Sequence, residues 1–260
     1  MPEGHTIFRM ASDHRRWLAG QTTIVLSPQG RFQSEADRLS GSKLVDVDSH
    51  GKHLFYRWSD NRVVHIHLGL YGKFKKYENP PPQPRGAVRM RVIGREITVD
   101  LNGPNQCDLI SPAEALAIRG RLGEDPIKED ADPEKVWSRI QRSRKTIGAA
   151  LLDQGLVAGI GNIYRAEILF ICRINPERLC SELTSSEFES IWNESVQLLR
   201  LGAEKNRIMT VRAGDSISAP DGKLRRFHVY KQSECPACRR SIFYWQSANR
   251  TIYACDVCQG

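Results

Sequence analysis

Along the first 110 or so residues, apolar and polar positions take turns at a period of two. The run "AVRMRVIGREITVDL" is the clearest case. Val88, Met90 and Val92 alternate with Arg89 and Arg91, the pattern of a strand with one face buried and one in water. "KLVDVDSHGKHLFYRW" and "RVVHIHLGLYGKF" carry the β-branched and aromatic content of further strands. "YENPPPQPRG" cannot continue a ladder, because proline donates no N–H, so it reads as an exposed loop. Short strands with polar turns predict a sandwich or barrel, with one helix, Thr6 to Leu18, ahead of them.

From about Asp132 the period becomes helical. Asp132 is an N-cap with Pro133 at the first helical position, and Val136 and Ile140 follow at helical spacing. "TSSEFESIWNESVQLLRLG" opens with Thr184 and Glu187 at capping-box spacing. Phe188, Ile191, Trp192, Ser195, Leu198 and Leu199 mark one face, and Gly202 reads as the stop. Between these lies "LLDQGLVAGIGNIYRAEILF", read as a helix, a Gly159-Ile160-Gly161 turn and a second helix. No repeat or low-complexity tract interrupts the chain. A domain boundary is predicted near residues 123–133, where "GEDPIKEDADP" is acidic, polar and proline-bearing.

Composition narrows the class. At 260 residues the chain has room for two domains, and 40% hydrophobic with 26% charged residues reads as soluble and globular. No apolar run approaches the roughly 20 residues needed to span a bilayer, and the start lacks a secretory h-region, so the expectation is a cytoplasmic protein with no membrane association. A net charge of +8 favours a polyanionic partner through counterion release, although a merely soluble basic protein has the same sum.

Seven cysteines do not make a disulfide scaffold at this size. Cys107, Cys172 and Cys180 are scattered and read as small buried thiols. The other four form Cys235-x2-Cys238 and, sixteen residues later, Cys255-x2-Cys258. This spacing fits one tetrahedral Zn²⁺ held by four thiolates, a closed and therefore structural site. Two redox dithiols are the weaker alternative, since such motifs occur singly beside a βαβ unit. "SIFYW" and "TIYA" read as a hairpin around the turn "QSAN". Lys223, Arg225, Arg226, Lys231, Arg239, Arg240 and Arg250 crowd this region against Asp221 and Glu234. Arg250 falls at the hairpin tip, where a guanidinium could clamp a phosphate. A solvated charge run is the plain alternative, and nucleic-acid contact is favoured.

The start, "MPEGHTIF", poses two readings: an incidental terminus, or a reagent. With the zinc spacing and "GIGNIYRAEILF", it resembles the bacterial formamidopyrimidine-DNA glycosylase / endonuclease VIII family over essentially the whole length. The resemblance implies an α+β multidomain fold. It has an N-terminal β-sandwich (1–125), a helix–two-turn–helix domain (131–222) and a zinc-finger hairpin (223–260). The implied activity is that of a bifunctional DNA glycosylase and abasic-site lyase of base-excision repair. It would act as a monomer on double-stranded DNA associated with the nucleoid, from a cleft between the two domains. In this family the start methionine is removed and Pro2 becomes a secondary-amine nucleophile. An α-amino group titrates at about 7.7–8.0, against about 10.4 for lysine, so a useful fraction is uncharged near neutral pH.

By the same resemblance, Glu3 is the acid/base carboxylate, where a solvated terminal acid would be the default. Lys52 is the lysine that assists near the damaged nucleotide, and Arg250 holds the phosphate during strand cleavage. Asn162 and Arg121 contact the DNA backbone. Leu70 and Tyr71 in "HLGLYGKF" fill the gap left by a flipped base. The endonuclease VIII branch carries Gln before that pair, and this chain has Gly69. His67 is expected to touch a phosphate, and His65 to be structural. The start "MPEG", the Leu70-Tyr71 pair and a short segment within "VRAGDSISAPDGKLRRFHVY" lean towards oxidised pyrimidines, while Gly69 matches the purine-directed alternative. A non-catalytic zinc-ribbon DNA-binding protein is the rival from another class.

Overall fold

The protein is described here by a computed structural model covering residues 2–212, 225–247 and 249–260. Met1, Asp221, Lys223 and Ala248 lie outside the described residues, as does the expected short loop over 213–224. The chain divides into two units. Pro2, Glu3 and Ile7–Arg121 form the first; Gly4–Thr6 and Leu122–Gly260 form the second.

Helix α1 runs Gly4–Leu18, two residues earlier than the pattern predicts. Ile7, Ala11, His14 and Leu18 are buried, three or four residues apart and hence on one face. His14 Nδ1 meets the Tyr56 hydroxyl. Burial pushes His14 down to about 4 and the Tyr56 hydroxyl well above its usual value, so the phenol donates to a neutral imidazole.

The rest of the first unit is a β-sandwich with eight strands: β1 (Ile24–Leu26), β2 (Leu44–His50), β3 (His53–Trp58), β4 (Arg62–His67), β5 (Lys73–Glu78), β6 (Val88–Ile93), β7 (Ile97–Asn102) and β8 (Gln106–Ile110). One antiparallel sheet is ordered β1-β6-β7-β5 and the other β2-β3-β4-β8. Leu54, Tyr56 and Trp58 of β3, Val64 and Ile66 of β4, Met90 and Val92 of β6, and Val99 and Leu101 of β7 fill the core. The alternation therefore marks the core face, but the opposite face is not uniformly in water: Thr98 and Asp100 of β7, His65 of β4 and Arg91 of β6 are also buried. Arg91, predicted to face water, is 4% exposed. Asp100 lies directly across the ladder and takes two guanidinium hydrogen bonds at 2.6 and 2.8 Å, while the proline-rich loop supplies a third acceptor, Pro82 O, at 3.0 Å. A covering loop and a cross-strand carboxylate turn a solvent-facing position into a buried one.

Two helices of this unit escape the strand pattern. α2 (Gln33–Leu39) buries only Ala36 and Leu39 along its length, too few apolar positions to show a period. α3 (Pro112–Gly120) carries a legible start: Pro112 at the first turn and a Ser111–Glu114 capping box.

In the second unit, α4 (Pro133–Gln141) starts at Asp132, whose side chain accepts from the amides of Glu134 and Lys135. α5 is a single turn, Ile147–Ala150, and α6 spans Asn162–Ile171. α6 packs against α5, α7 (Ser185–Lys205) and strand β10 (Arg250–Ala254), which pairs with β9 (Phe243–Ser247). It is buried almost all round, the polar Asn162, Arg165 and Glu167 included.

Three expectations need correction here. Residues 151–161 are turns rather than a helix, because Gln154 ties them together: its amide donates to Leu152 O and Ile160 O, and its oxygen accepts from the Gly159 amide, each at 3.0 Å. Gly202 does not stop α7, which continues to Lys205 and ends on Asn206 at φ 51°. A Cβ on Gly202 would sit 2.1 Å from Tyr164 Oη and 2.9 Å from the His5 ring, so this glycine serves close packing inside the helix. Cys172 is half-buried, unlike Cys107 and Cys180.

Candidate functional site

The N-terminus is not a frayed end. Glu3 is the N-cap of α1 and its side chain is fully buried. The Gly4 amide donates to Gly159 O at 2.8 Å, and a Cβ on Gly4 would lie 2.7 Å from Gly159 Cα. Two glycines from distant motifs, "MPEG" and "GIG", therefore press backbone on backbone. Pro2 and Glu3 stand immediately ahead of Gly4 in the chain, and no reading of either motif alone foretold the contact.

Lys52 sits in the turn between β2 and β3, next to the ladder pair His50 and His53. His53, His65 and His67 share the face of β3 and β4 that points away from the core. Burial pushes His53 down to about 3 and His65 to about 4, and lowers His67 as well. Arg121, the C-cap of α3, ends this unit and is exposed; its charge is one of the influences that keep His65 neutral.

The loop after β4 carries the predicted wedge. Leu68 is buried, Leu70 is 51% exposed and Tyr71 is 86% exposed, an unusual degree for a tyrosine on a short turn closed by Gly72 N to Leu68 O. Gly69 has φ +66°, and a Cβ there would fall 2.8 Å from Asn105 Cβ. A side chain here would be strained by that φ and would push against Asn105, so the turn as folded suits glycine.

In the second unit, Asn162 opens α6 and is 9% exposed. Its Nδ2 donates to Thr251 O at 2.8 Å and its Oδ1 accepts from Arg165. Arg165 also reaches Gly148 O and Ser247 O. Arg250, exposed, heads β10 opposite Ser247, so the residue expected to clamp a phosphate is anchored through its neighbours to α6.

The four arranged thiols come together, with all Sγ atoms within 4.8 Å of one another. A tetrahedron with Zn–S of about 2.3 Å has S···S edges of about 3.8 Å, and the Cys235–Cys258 and Cys238–Cys255 separations are 3.8 and 3.4 Å. Each pair turns on a knuckle: Cys235 N donates to Arg240 O, and Cys255 N to the Gln259 side chain. The donor set fits a closed four-thiolate metal site. Not every nearby cation faces outward. Arg225 is buried and donates to Glu234 O, and Arg226 donates to Ile208 O.

One buried acid was missed. Glu167 lies inside α6 with no exposure and accepts from the amides of His228, Val229 and Tyr230 at 2.7, 2.8 and 2.8 Å, from the His228 ring and from the Thr210 hydroxyl. Burial alone would raise its carboxyl, but bonds from His228 and Thr210 hold it below its usual range. An acid inside the apolar run "NIYRAEILF" was the available signal.

Known proteins resemble this chain in sequence and in fold. Residues 1–102 match the family model "Formamidopyrimidine-DNA glycosylase N-terminal domain", and residues 122–213 match "Formamidopyrimidine-DNA glycosylase H2TH domain". Endonuclease 8 1 of Mycobacterium tuberculosis H37Rv is 41% identical over a 267-residue alignment covering 100% of both chains. Formamidopyrimidine-DNA glycosylase of Thermomicrobium roseum is 29% identical, covering 91% of this chain and 87% of its own. Lactococcus lactis Fpg (MutM), solved in complex with DNA containing N7-benzyl-Fapy-dG, superposes with TM-score 0.82 at 24% identity over 99% of each chain, a likeness of fold. Both family models, a four-thiolate hairpin and full-length identity of 41% lead to one placement: the chain belongs to the formamidopyrimidine-DNA glycosylase / endonuclease VIII family of DNA repair glycosylases, nearer its endonuclease VIII branch.

Proposed function

We propose that this glycosylase is bifunctional: it releases an oxidised base and then cleaves the strand through a Schiff base on Pro2. The observation that carries the reading is the buried Glu3 beside Pro2 on a terminus pinned by Gly4 and Gly159. Once Met1 is removed, the uncharged Pro2 nitrogen attacks C1′; the electron pair of the glycosidic bond leaves with the base, which takes up the proton that the amine sheds. Glu3 delivers a proton as the sugar ring opens. The secondary amine yields a cationic iminium, which acidifies the C2′ proton. Loss of that proton expels the 3′-phosphate, and a second elimination expels the 5′-phosphate.

Lys52 assists at the nucleotide. Arg250 holds the phosphate that leaves, Asn162 and Arg121 hold the backbone, and His67 donates to a phosphate. Leu70 and Tyr71 occupy the gap in the stack. Zn²⁺ held by Cys235, Cys238, Cys255 and Cys258 would supply no chemistry to the reaction; it keeps the hairpin folded. The protein acts as a monomer on damaged or abasic duplex DNA, and among the described residues no helix is long and apolar enough to cross a membrane.

Oxidised pyrimidines are the proposed substrates. The relative named Endonuclease 8 1 and the Leu70-Tyr71 wedge support this. Gly69 favours the purine-directed reading, although its turn, with Asn105 against it, also suits glycine on local grounds. Matched duplexes carrying thymine glycol, 5-hydroxycytosine or 8-oxoguanine opposite cytosine test the choice in competitive turnover. Faster release of either pyrimidine is expected; faster release of 8-oxoguanine overturns the substrate assignment.

A further inference from the structure

The sheet β2-β3-β4-β8 has an outer face with two different ends. At one end α3 covers Phe55 and Val63 through Ala115, and the Arg119 guanidinium lies 4.3 Å from the centre of the Phe55 ring. At the other end, around the Lys52 turn, four histidines gather: His50 on β2, His53 on β3, and His65 and His67 on β4. Their ladder partners on β8 are Asp108, opposite His65, and Gln106, opposite His67.

Three of the rings form a row that continues from Phe55. His65 stacks on Phe55 at 5.1 Å, His53 stacks on His65 at 5.1 Å and 11°, and His67 meets His53 at 5.0 Å. His53 Nδ1 and His65 Nε2 share a hydrogen bond of 2.8 Å. The Nδ1 atoms of His65 and His67 are buried without a partner. A buried N–H left unpaired is rarer in proteins than a bare acceptor, so the proton of each ring belongs on Nε2. His65 then donates through Nε2–H to His53 Nδ1. That bond leaves His53, a half-buried residue like His67, with its own proton on Nε2.

All three rings are kept uncharged, chiefly by burial, although Asp108 faces His65 and pulls the other way. His50, Lys52 and Arg121 oppose protonation of their neighbours by repulsion. The result is a pair of N–H donors next to Lys52 that add no positive charge to it. An N–H with an anionic acceptor makes a strong, directional bond, and contacts of this kind fix register on a duplex without reading sequence.

We propose that His53 is a second uncharged donor to a backbone phosphate diester of the bound DNA, alongside His67, and that His65 is the positioning residue that holds His53 in its Nε2–H form. The assignment rests on the reading of the chain as a DNA glycosylase with Lys52 beside the damaged nucleotide.

Affinity for a duplex carrying a tetrahydrofuran abasic analogue, measured by fluorescence anisotropy across a salt series and from pH 6 to 8, tests it. His53→Ala weakens binding by about tenfold, as loss of one hydrogen bond to a charged group does. The slope of log K against log salt stays unchanged, because an uncharged donor releases no counterion; Arg250→Ala, by contrast, lowers that slope by about 0.9. His65→Phe keeps the stack, removes the donor and weakens binding by a similar factor, and His65→Gln, which restores an N–H, recovers most of it. Long-range ¹H–¹⁵N spectra of the wild type show His53 protonated at Nε2, and His65→Phe mixes its tautomers. Unchanged affinity in His53→Ala, a reduced salt slope in that variant, or His53 protonated at Nδ1 overturns the proposal. Should His65→Phe fail to fold, the His53→Ala titration and the wild-type spectrum decide. A wild type that neither binds nor cleaves the abasic duplex defeats the glycosylase reading itself; normal cleavage with an indifferent His53→Ala defeats this inference alone.

Discussion

Glu167 should be the anchor that holds the approach to the zinc hairpin against α6. Its two oxygens accept from three backbone amides, at His228, Val229 and Tyr230, as well as from Thr210 and the His228 ring. Glu167→Leu leaves those three amides buried and without acceptors. At about 1–3 kcal/mol for each stranded donor, the cost is about 3–9 kcal/mol, comparable to the whole stability of a domain. Glu167→Gln is cheaper. With its oxygen towards Val229 and Tyr230, the Thr210 hydroxyl can turn to accept from the amide nitrogen, and so can His228 Nδ1 once the ring carries its proton on Nε2. Only the His228 amide is then opposed, at about 1–3 kcal/mol. Two units make a single global unfolding curve hard to interpret, so native-state hydrogen exchange at residues 228–230 is the assay, with thermal denaturation beside it. The carboxyl is depressed in the fold, so its stabilisation is present above the ordinary glutamate value and is lost as pH falls through the folded value. Protection at 228–230 unchanged in Glu167→Leu, or a loss in Glu167→Gln equal to that in Glu167→Leu, would refute the reasoning.

Gly4→Ala forces a methyl to within 2.7 Å of Gly159 Cα and should cost about 1–3 kcal/mol in a thermal melt while lowering turnover; a variant matching the wild type in both contradicts the pinned terminus. Cys255→Ser should lose the metal, loosen the hairpin and weaken DNA binding, whereas metal analysis finding far less than one zinc per chain in the wild type removes the basis for this. Leu70→Ala and Tyr71→Ala remove exposed side chains, so stability should stay within about 0.5 kcal/mol while base release from duplex DNA slows; unaltered release rates argue against the wedge.

Much of the fold was legible because burial in this protein follows regular periods. The strands of the sandwich alternate, and α4 and α7 announce themselves through Asp132-Pro133 and Thr184–Glu187. What stayed hidden depends on partners distant in sequence. Arg91 looks solvent-facing until Asp100 and the loop at Pro82 are placed around it. Gly202 looks like a terminator until Tyr164 and His5 are seen against it. At the candidate site, Pro2, Glu3 and the four cysteines could be named from motifs. The Gly4–Gly159 contact, the histidine row and the Glu167 anchor could not, because each joins elements between 12 and 155 residues apart.

The central claim is that the Pro2 nitrogen forms the covalent bond to the sugar. Borohydride reduction during reaction with an abasic-site duplex, followed by peptide mass mapping, tests it directly. A single DNA adduct on the N-terminal peptide at Pro2 is the expected result, absent when an uncleavable residue precedes Pro2. No adduct, or an adduct on Lys52 with Pro2 unmodified, would contradict the account.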